Sequence, residues 1–179
     1  FLLLDPIRIG RSTPRSEQRM GEALAALHSP SSETRFGLPS PNFIGTLQQD
    51  NAWTDCWAEF FVERRLWPQI ELAKRTLGRS LCRQLEGVVE RALEDLQTDE
   101  PPCRVHGDLW SGNRLTDQDG QPWLIDPSAI YGSRELDVAM MKLFGGFEPE
   151  CFDAYSRRAP LVPGFSHRAQ YYQLYFMLV

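Results

Sequence analysis

Cysteine is scarce and scattered. Cys56, Cys82, Cys103 and Cys151 form no CxxC pair, which excludes a close-spaced zinc site or a disulfide framework and leaves reduced thiols in a cytosolic protein. There is no apolar run of about 18 residues, so no membrane span is expected. Phe1-Leu2-Leu3-Leu4 is halted by Asp5-Pro6, too short for a secretory signal. Positive charge is in deficit: the net charge is -5 and the isoelectric point about 5.2, which argues against nucleic acid as a partner. Internal repeats and low-complexity segments are absent. Nor does the chain begin with Met, so a fragment, or a segment preceding Phe1, is expected.

What is present fits one well-packed unit. A length of 179 residues suffices for one core, so a single domain or one lobe of a larger one is expected. Phe1 to Leu4 reads as a buried strand, and residues 5–12 as a link. Thr13-Pro14 predicts a helix start, with Met20, Leu24 and Leu27 on one face. His28 closes that helix, and a bond from its side chain to a free carbonyl is the expected role. Residues 29–52, rich in Ser, Pro, Gly and Asn, read as a long loop, and such loops in compact domains tend to be functional. A helix capped at Thr54-Asp55 carries Trp57, Phe60, Phe61 and Leu66 and breaks before Pro68, with a second piece running to Leu77. Ser80 to Leu96 is the clearest amphipathic helix. Helices are also expected over Arg134–Leu143, Phe152–Arg158 and Arg168–Val179, the last nearly apolar all round and therefore buried.

The chemistry concentrates between Val105 and Pro127. His106-Gly107-Asp108 is followed by Asn113, five residues after Asp108. Asn113–Thr116 and Pro122–Asp126 read as two strands joined by a turn at Asp117–Gly120. Pairing of those strands brings Asn113 and Asp126 to one open end, with Asp108 in the entering loop. Asp108 is then placed to orient an acceptor hydroxyl, while Asn113 and Asp126 are placed to hold magnesium on phosphates. A lone HxD or D-x4-N occurs as an ordinary turn; the whole spacing, ending in an apolar strand and an Asp, is far more specific. His106 reads as an internal hydrogen-bonding strut. Asp126 is followed by Pro127-Ser128, and Trp110 stands two after Asp108, departures that argue against a protein substrate docked as in protein kinases.

These residues resemble the fructosamine kinase (ketosamine-3-kinase) family. The resemblance rests on His106-Gly-Asp-Leu-Trp-Ser-Gly-Asn113, Ile125-Asp-Pro-Ser-Ala-Ile-Tyr-Gly132, Arg134-Glu135 with Asp137-Val-Ala-Met140, and Asn42-Phe-Ile-Gly-Thr46 with Asn51 and Trp53. It implies an α+β, predominantly helical fold: the C-terminal lobe of a protein-kinase-like, aminoglycoside phosphotransferase-like architecture with a small catalytic hairpin. Residues 1–12 would be hinge strand and linker, and 13–179 the helical lobe. It also implies ATP and Mg2+ as cofactors, and phosphorylation of the 3-hydroxyl of a ketoamine, small or protein-bound, in deglycation. Asp108 would be catalytic, and Asn113 and Asp126 metal ligands. Leu3, Leu4 and Asp5 would meet the nucleotide, and Asn42, Asn51, Trp53 and Trp110 the sugar. His106, Arg134 and Asp137 would brace the site, the last two as a pair or as a plain ion pair at a helix start. Ser128 and Ser133 depart from the family's usual Ala and His. An N-terminal lobe is missing from these residues, so weak nucleotide binding and little turnover are expected of them alone. An aminoglycoside- or choline-type kinase and a non-catalytic remnant are the alternatives.

Overall fold

The structure, a computed structural model, describes residues 6–179. The strand expected over Phe1–Leu4, and with it Leu3, Leu4 and Asp5, lies outside the described residues. Helices dominate, and three two-stranded antiparallel sheets accompany them.

Helix α1 spans Pro14–Leu27. Its start follows the local chemistry: Ser16 N–H donates to Thr13 Oγ1 and Thr13 N–H to Ser16 Oγ, two orphan donors satisfied reciprocally, with proline at the first helical position. The segment expected to be a structureless loop contains a hairpin, β1 (Asn42–Ile44) and β2 (Leu47–Gln49), turned at Gly45 with φ +55°. Its signal is weak because each strand has three residues and only Ile44 and Gln49 point inward to burial.

The expected helix break at Pro68 does not occur. Helix α2 (Trp57–Phe61) passes through a π-helical turn, Val62–Leu66, into α3 (Trp67–Ala73). Pro68 cannot bond the carbonyl of Arg64 four residues back. The wider turn accommodates it, and Arg65 Nη1 donates to the Arg64 carbonyl at 2.9 Å instead. Phe60, Phe61, Leu66 and Ile70 are fully buried here, each contributing roughly 1.5–3 kcal/mol of transfer free energy. Helix α3 also ends at Ala73, short of the expected Leu77. Helix α4 (Arg79–Asp95) forms as its periodicity predicts.

Strand β3 (Cys103–Val105) leads into the loop 106–113. Strands β4 (Arg114–Thr116) and β5 (Pro122–Leu124) form the expected hairpin, with Arg114 opposite Leu124. Strand β6 (Ile130–Gly132) returns to pair with β3. Helix α5 (Glu135–Phe144) follows, then α6 (Pro149–Arg158) and α7 (Phe165–Leu178). Gly21 allows α1 and α6 to touch: a Cβ there would strike the carbonyl of Cys151. Helix α7 buries Tyr171, Tyr172, Tyr175 and Phe176, yet Met177 is 72% exposed, so its apolar sequence overstated its burial. Among the described residues no helix is long and apolar enough to cross a membrane, and all four cysteines are unpaired.

Candidate active site

The loop 106–113 is fixed at Gly107. With φ +78° the residue occupies the left-handed region, and a Cβ would strike the carbonyl oxygen of Ser128. That close approach seats the loop before β4 directly against the segment after β5. Asp108 and Asn113 meet there, because Asn113 Nδ2 donates to the Asp108 carboxylate at 2.9 Å and to its carbonyl at 2.8 Å. With the nitrogen committed, the Asn113 side-chain oxygen is left as the acceptor. Ile125 N–H donates to the Asn113 carbonyl at 3.0 Å, which puts Asp126 at the same open end. Loop and hairpin thus bring Asp108, Asn113 and Asp126 to one end of the strands.

Asp126 is exposed and has φ +51°, a region that non-glycine residues occupy at some cost and that clusters at functional sites. Asp108 is half-buried. Its carboxyl is held above the usual carboxylate range, chiefly by burial and further by the nearby Asp137 and Asp126 charges; the Asn113 bond and His106 oppose this. His106 is a strut, as expected: Nε2 donates to the Ile125 carbonyl at 2.9 Å while Nδ1 accepts Asp108 N–H at 3.3 Å. One imidazole thus ties Asp108 to the residue before Asp126.

Behind the loop lies Asp137, fully buried on α5. It accepts His106 N–H at 2.7 Å, Gly107 N–H at 2.8 Å and His28 Nε2 at 3.0 Å. Burial pushes this carboxyl up, but the hydrogen bonds from the His28 side chain and the His106 amide outweigh it and hold it low. Two expectations are corrected here. The His28 side chain bonds Asp137 and, at 2.9 Å, the Tyr155 hydroxyl, not a free carbonyl. Arg134 pairs with Glu100 and donates to the Ala159 carbonyl, not with Asp137, which the spacing along α5 cannot reveal because Glu100 and His28 arrive from distant chain.

The residues expected on the sugar side divide. Trp110 is 43% exposed on the loop 106–113, its indole covering Gly112. Trp53 is half-buried, with the Arg35 guanidinium 4.9 Å over its ring and Tyr131 at 6.0 Å. Asn51 is buried: its amide donates to Ser40 O at 3.0 Å and Asn42 Oδ1 at 2.9 Å, and its oxygen accepts from Arg65. Asn42 Nδ2 donates to the Ala129 carbonyl at 2.9 Å. Both asparagines therefore act as brackets in this arrangement, Asn51 with no N–H left for a ligand. Gln49 and Tyr175 were not anticipated, and Ser128 was noted only as a departure from the family's usual Ala; the three form a buried chain in which Ser128 Oγ donates to Gln49 Oε1 and Gln49 Nε2 to Tyr175, both at 2.6 Å. No local signal marks Gln49 or Tyr175, since their partners lie about 80 and 126 residues away. A cleft of about 700 Å³ opens beside the hairpin, lined by Ile7, Arg8, Trp123 and Ile125.

The site is thus an Asp-x4-Asn loop that feeds a hairpin ending in Asp, set under helices. Macrolide 2'-phosphotransferase type I shares the fold, at 19% identity and a TM-score of 0.51 over 99% of this chain and 60% of that one. The chain belongs to the fructosamine kinase family, whose profile matches residues 1–179. A protein named as a probable ketoamine kinase from Synechocystis sp. is 41% identical over 99% of this chain and 60% of its own length. A crystal structure described as a fructosamine-3-kinase from Thermobifida fusca superposes with a TM-score of 0.88 at 35% identity, covering 97% of this chain and 61% of that one. The chain thus spans about three fifths of the relatives it matches.

Proposed function

We propose that this chain supplies the catalytic half of an ATP-dependent kinase that phosphorylates the 3-hydroxyl of ketoamines, small or protein-bound, and so promotes deglycation. The observation that carries this is the commitment of the Asn113 amide nitrogen to Asp108, which orients one carboxylate toward an acceptor and one amide oxygen toward a cation. Membership of the fructosamine kinase family supplies the substrate class. Against a non-catalytic remnant speaks the intact triplet; against an antibiotic acceptor, that the likeness to the macrolide phosphotransferase is one of fold alone.

Asp108 accepts the hydrogen bond of the 3-hydroxyl and holds that oxygen in line with the γ-phosphorus. The new P–O bond forms as the bond to the β-phosphate oxygen breaks, ADP leaves, and the hydroxyl proton passes to Asp108. A carboxyl held above its ordinary range by burial is suited to receive it. Asn113 and Asp126 are the residues that would hold magnesium. They fit: one charged and one neutral oxygen donor at an open end, with no cluster of three His, Cys, Asp or Glu among the described residues, leave the other positions to phosphate oxygens and water. When bound, magnesium supplies charge neutralisation on the phosphates. We place the nucleotide along the cleft beside Ile7, Trp123 and Ile125, with Leu3, Leu4 and Asp5 as its hinge contacts, and the sugar near Trp110 with Trp53 framing that side. Unpaired cysteines and the need for ATP fit a cytoplasmic setting. Profiling the full protein that carries this chain with ATP and fructosyl-lysine, choline and kanamycin tests the assignment: transfer to the ketoamine is expected, and transfer to choline or kanamycin alone would overturn it.

A further inference from the structure

The residues from Asp126 to Ala129 are gripped from three sides. The carbonyl of Ser128 rests against Gly107 of the catalytic loop, where no Cβ fits. The Ser128 hydroxyl donates to Gln49 Oε1 at 2.6 Å, and the Ala129 carbonyl accepts Asn42 Nδ2 at 2.9 Å. Asn42 and Gln49 are partners across the β1–β2 hairpin, so a single small element reaches this segment from both of its strands. Gln49 is itself fixed, because Nε2 donates to the buried Tyr175 hydroxyl on α7, and Asn42 is fixed by Asn51. Asp126, by contrast, is exposed and carries the left-handed backbone (φ +51°). A backbone held in that region persists only when its surroundings over-determine it, and the hairpin supplies two of the surrounding contacts.

We propose that the β1–β2 hairpin, through Gln49 and Asn42, is the positioning element for the metal-binding Asp126, and that Gln49, Ser128 and Tyr175 form the chain that sets it. Gln49 and Ser128 are positioning residues; they touch no reacting atom. Asn42, which the resemblance assigns to the sugar side, thereby works with Gln49 to hold the metal side through the segment that joins the two. This inference rests on Asp126 binding the divalent cation, and its test separates the two claims.

The test is Mn2+ binding, followed by electron paramagnetic resonance, to the full protein carrying this chain, saturated with ADP. Ser128→Ala removes one buried hydrogen bond, of order 1 kcal/mol, so Mn2+ affinity should fall about fivefold. Ser128→Thr keeps the hydroxyl and should restore it. In a Gln49→Leu background Ser128→Ala should add nothing further, because the partner is already gone. Asp126→Ala should remove Mn2+ binding at this site. Wild-type affinity in Asp126→Ala would overturn the metal assignment. Loss in Asp126→Ala with unchanged affinity in Ser128→Ala would overturn the hairpin's role alone. An equal fall in Ser128→Thr would show that packing, not the hydroxyl, is responsible, and would also overturn it. Folding is checked by the thermal midpoint, and Ser128→Ala, the smallest change, keeps the test open if Gln49→Leu fails to fold.

Discussion

Replacing Asp137 by alanine should damage the fold before it damages chemistry. The carboxylate is fully buried and accepts two backbone N–H groups of the catalytic loop and the imidazole of His28. Its removal strands three buried donors at once. A single hydrogen bond to a charged group is worth about 1.5–3 kcal/mol, and three sharing one acceptor do not simply add. Breaking a buried pair from one side costs about 3–5 kcal/mol, a large share of the roughly 5–15 kcal/mol that holds a domain together. With a urea slope of about 2 kcal/mol/M, the midpoint should drop by about 2 M at unchanged slope. The pH dependence has a definite sign. The folded carboxyl is held below its unfolded value, so its contribution is fully present above that value and lost as pH falls through the lower, folded one. The gap between wild type and Asp137→Ala should therefore stay constant from pH 8 to 5 and close only in strong acid. A variant within about 0.5 kcal/mol of wild type, the range of ordinary surface changes, would refute the reasoning.

Other outcomes follow from the same contacts. Gly107→Ala combines a left-handed backbone with a collision at Ser128 O; strain of about 1–3 kcal/mol should lower the unfolding midpoint and displace Asp108, seen as lost turnover with less change in KM for ATP. The acid limb of kcat/KM should lie above the ordinary Asp value of about 3.9, because burial raises Asp108; a limb at or below that value would contradict the environment described. Arg114 is paired with buried Glu17, and its guanidinium lies 4.9 Å over Phe147. Arg114→Met should therefore cost about 3–5 kcal/mol in urea unfolding, and a loss under 1 kcal/mol would show the pair to be dispensable.

How much of this was legible depended on range. Helix α4 and the cap at Thr13 rest on neighbours within one or two turns, and both form as their residues dictate. The triplet Asp108, Asn113 and Asp126 was legible because a tight hairpin joins it within twenty residues. The π-helical turn was not, because the Arg65 bond that supports Pro68 depends on a side chain curling back, which periodicity does not encode. Nor was the bracing of the site. Asp137 finds His28, and Ser128 finds Gln49, across roughly 80 to 110 residues, so the Arg134–Asp137 pairing that the resemblance implies is displaced by Glu100 and His28. Asn42 and Asn51 stood out through the resemblance, but their amides go to Ala129 and to Ser40 and Asn42, around a hairpin hidden by its three-residue strands.

We propose Asp108, Asn113 and Asp126 as the transfer centre of a ketoamine kinase. Phosphorus NMR of the full protein with magnesium-ATP and fructosyl-lysine, wild type beside Asp108→Ala, tests it most directly. A sugar 3-phosphate resonance is predicted for wild type, with the rate in the variant reduced by about 10²–10⁴, the span typical of a lost acid–base group. Undiminished transfer by Asp108→Ala, or no ketoamine phosphate from the wild type, would contradict it.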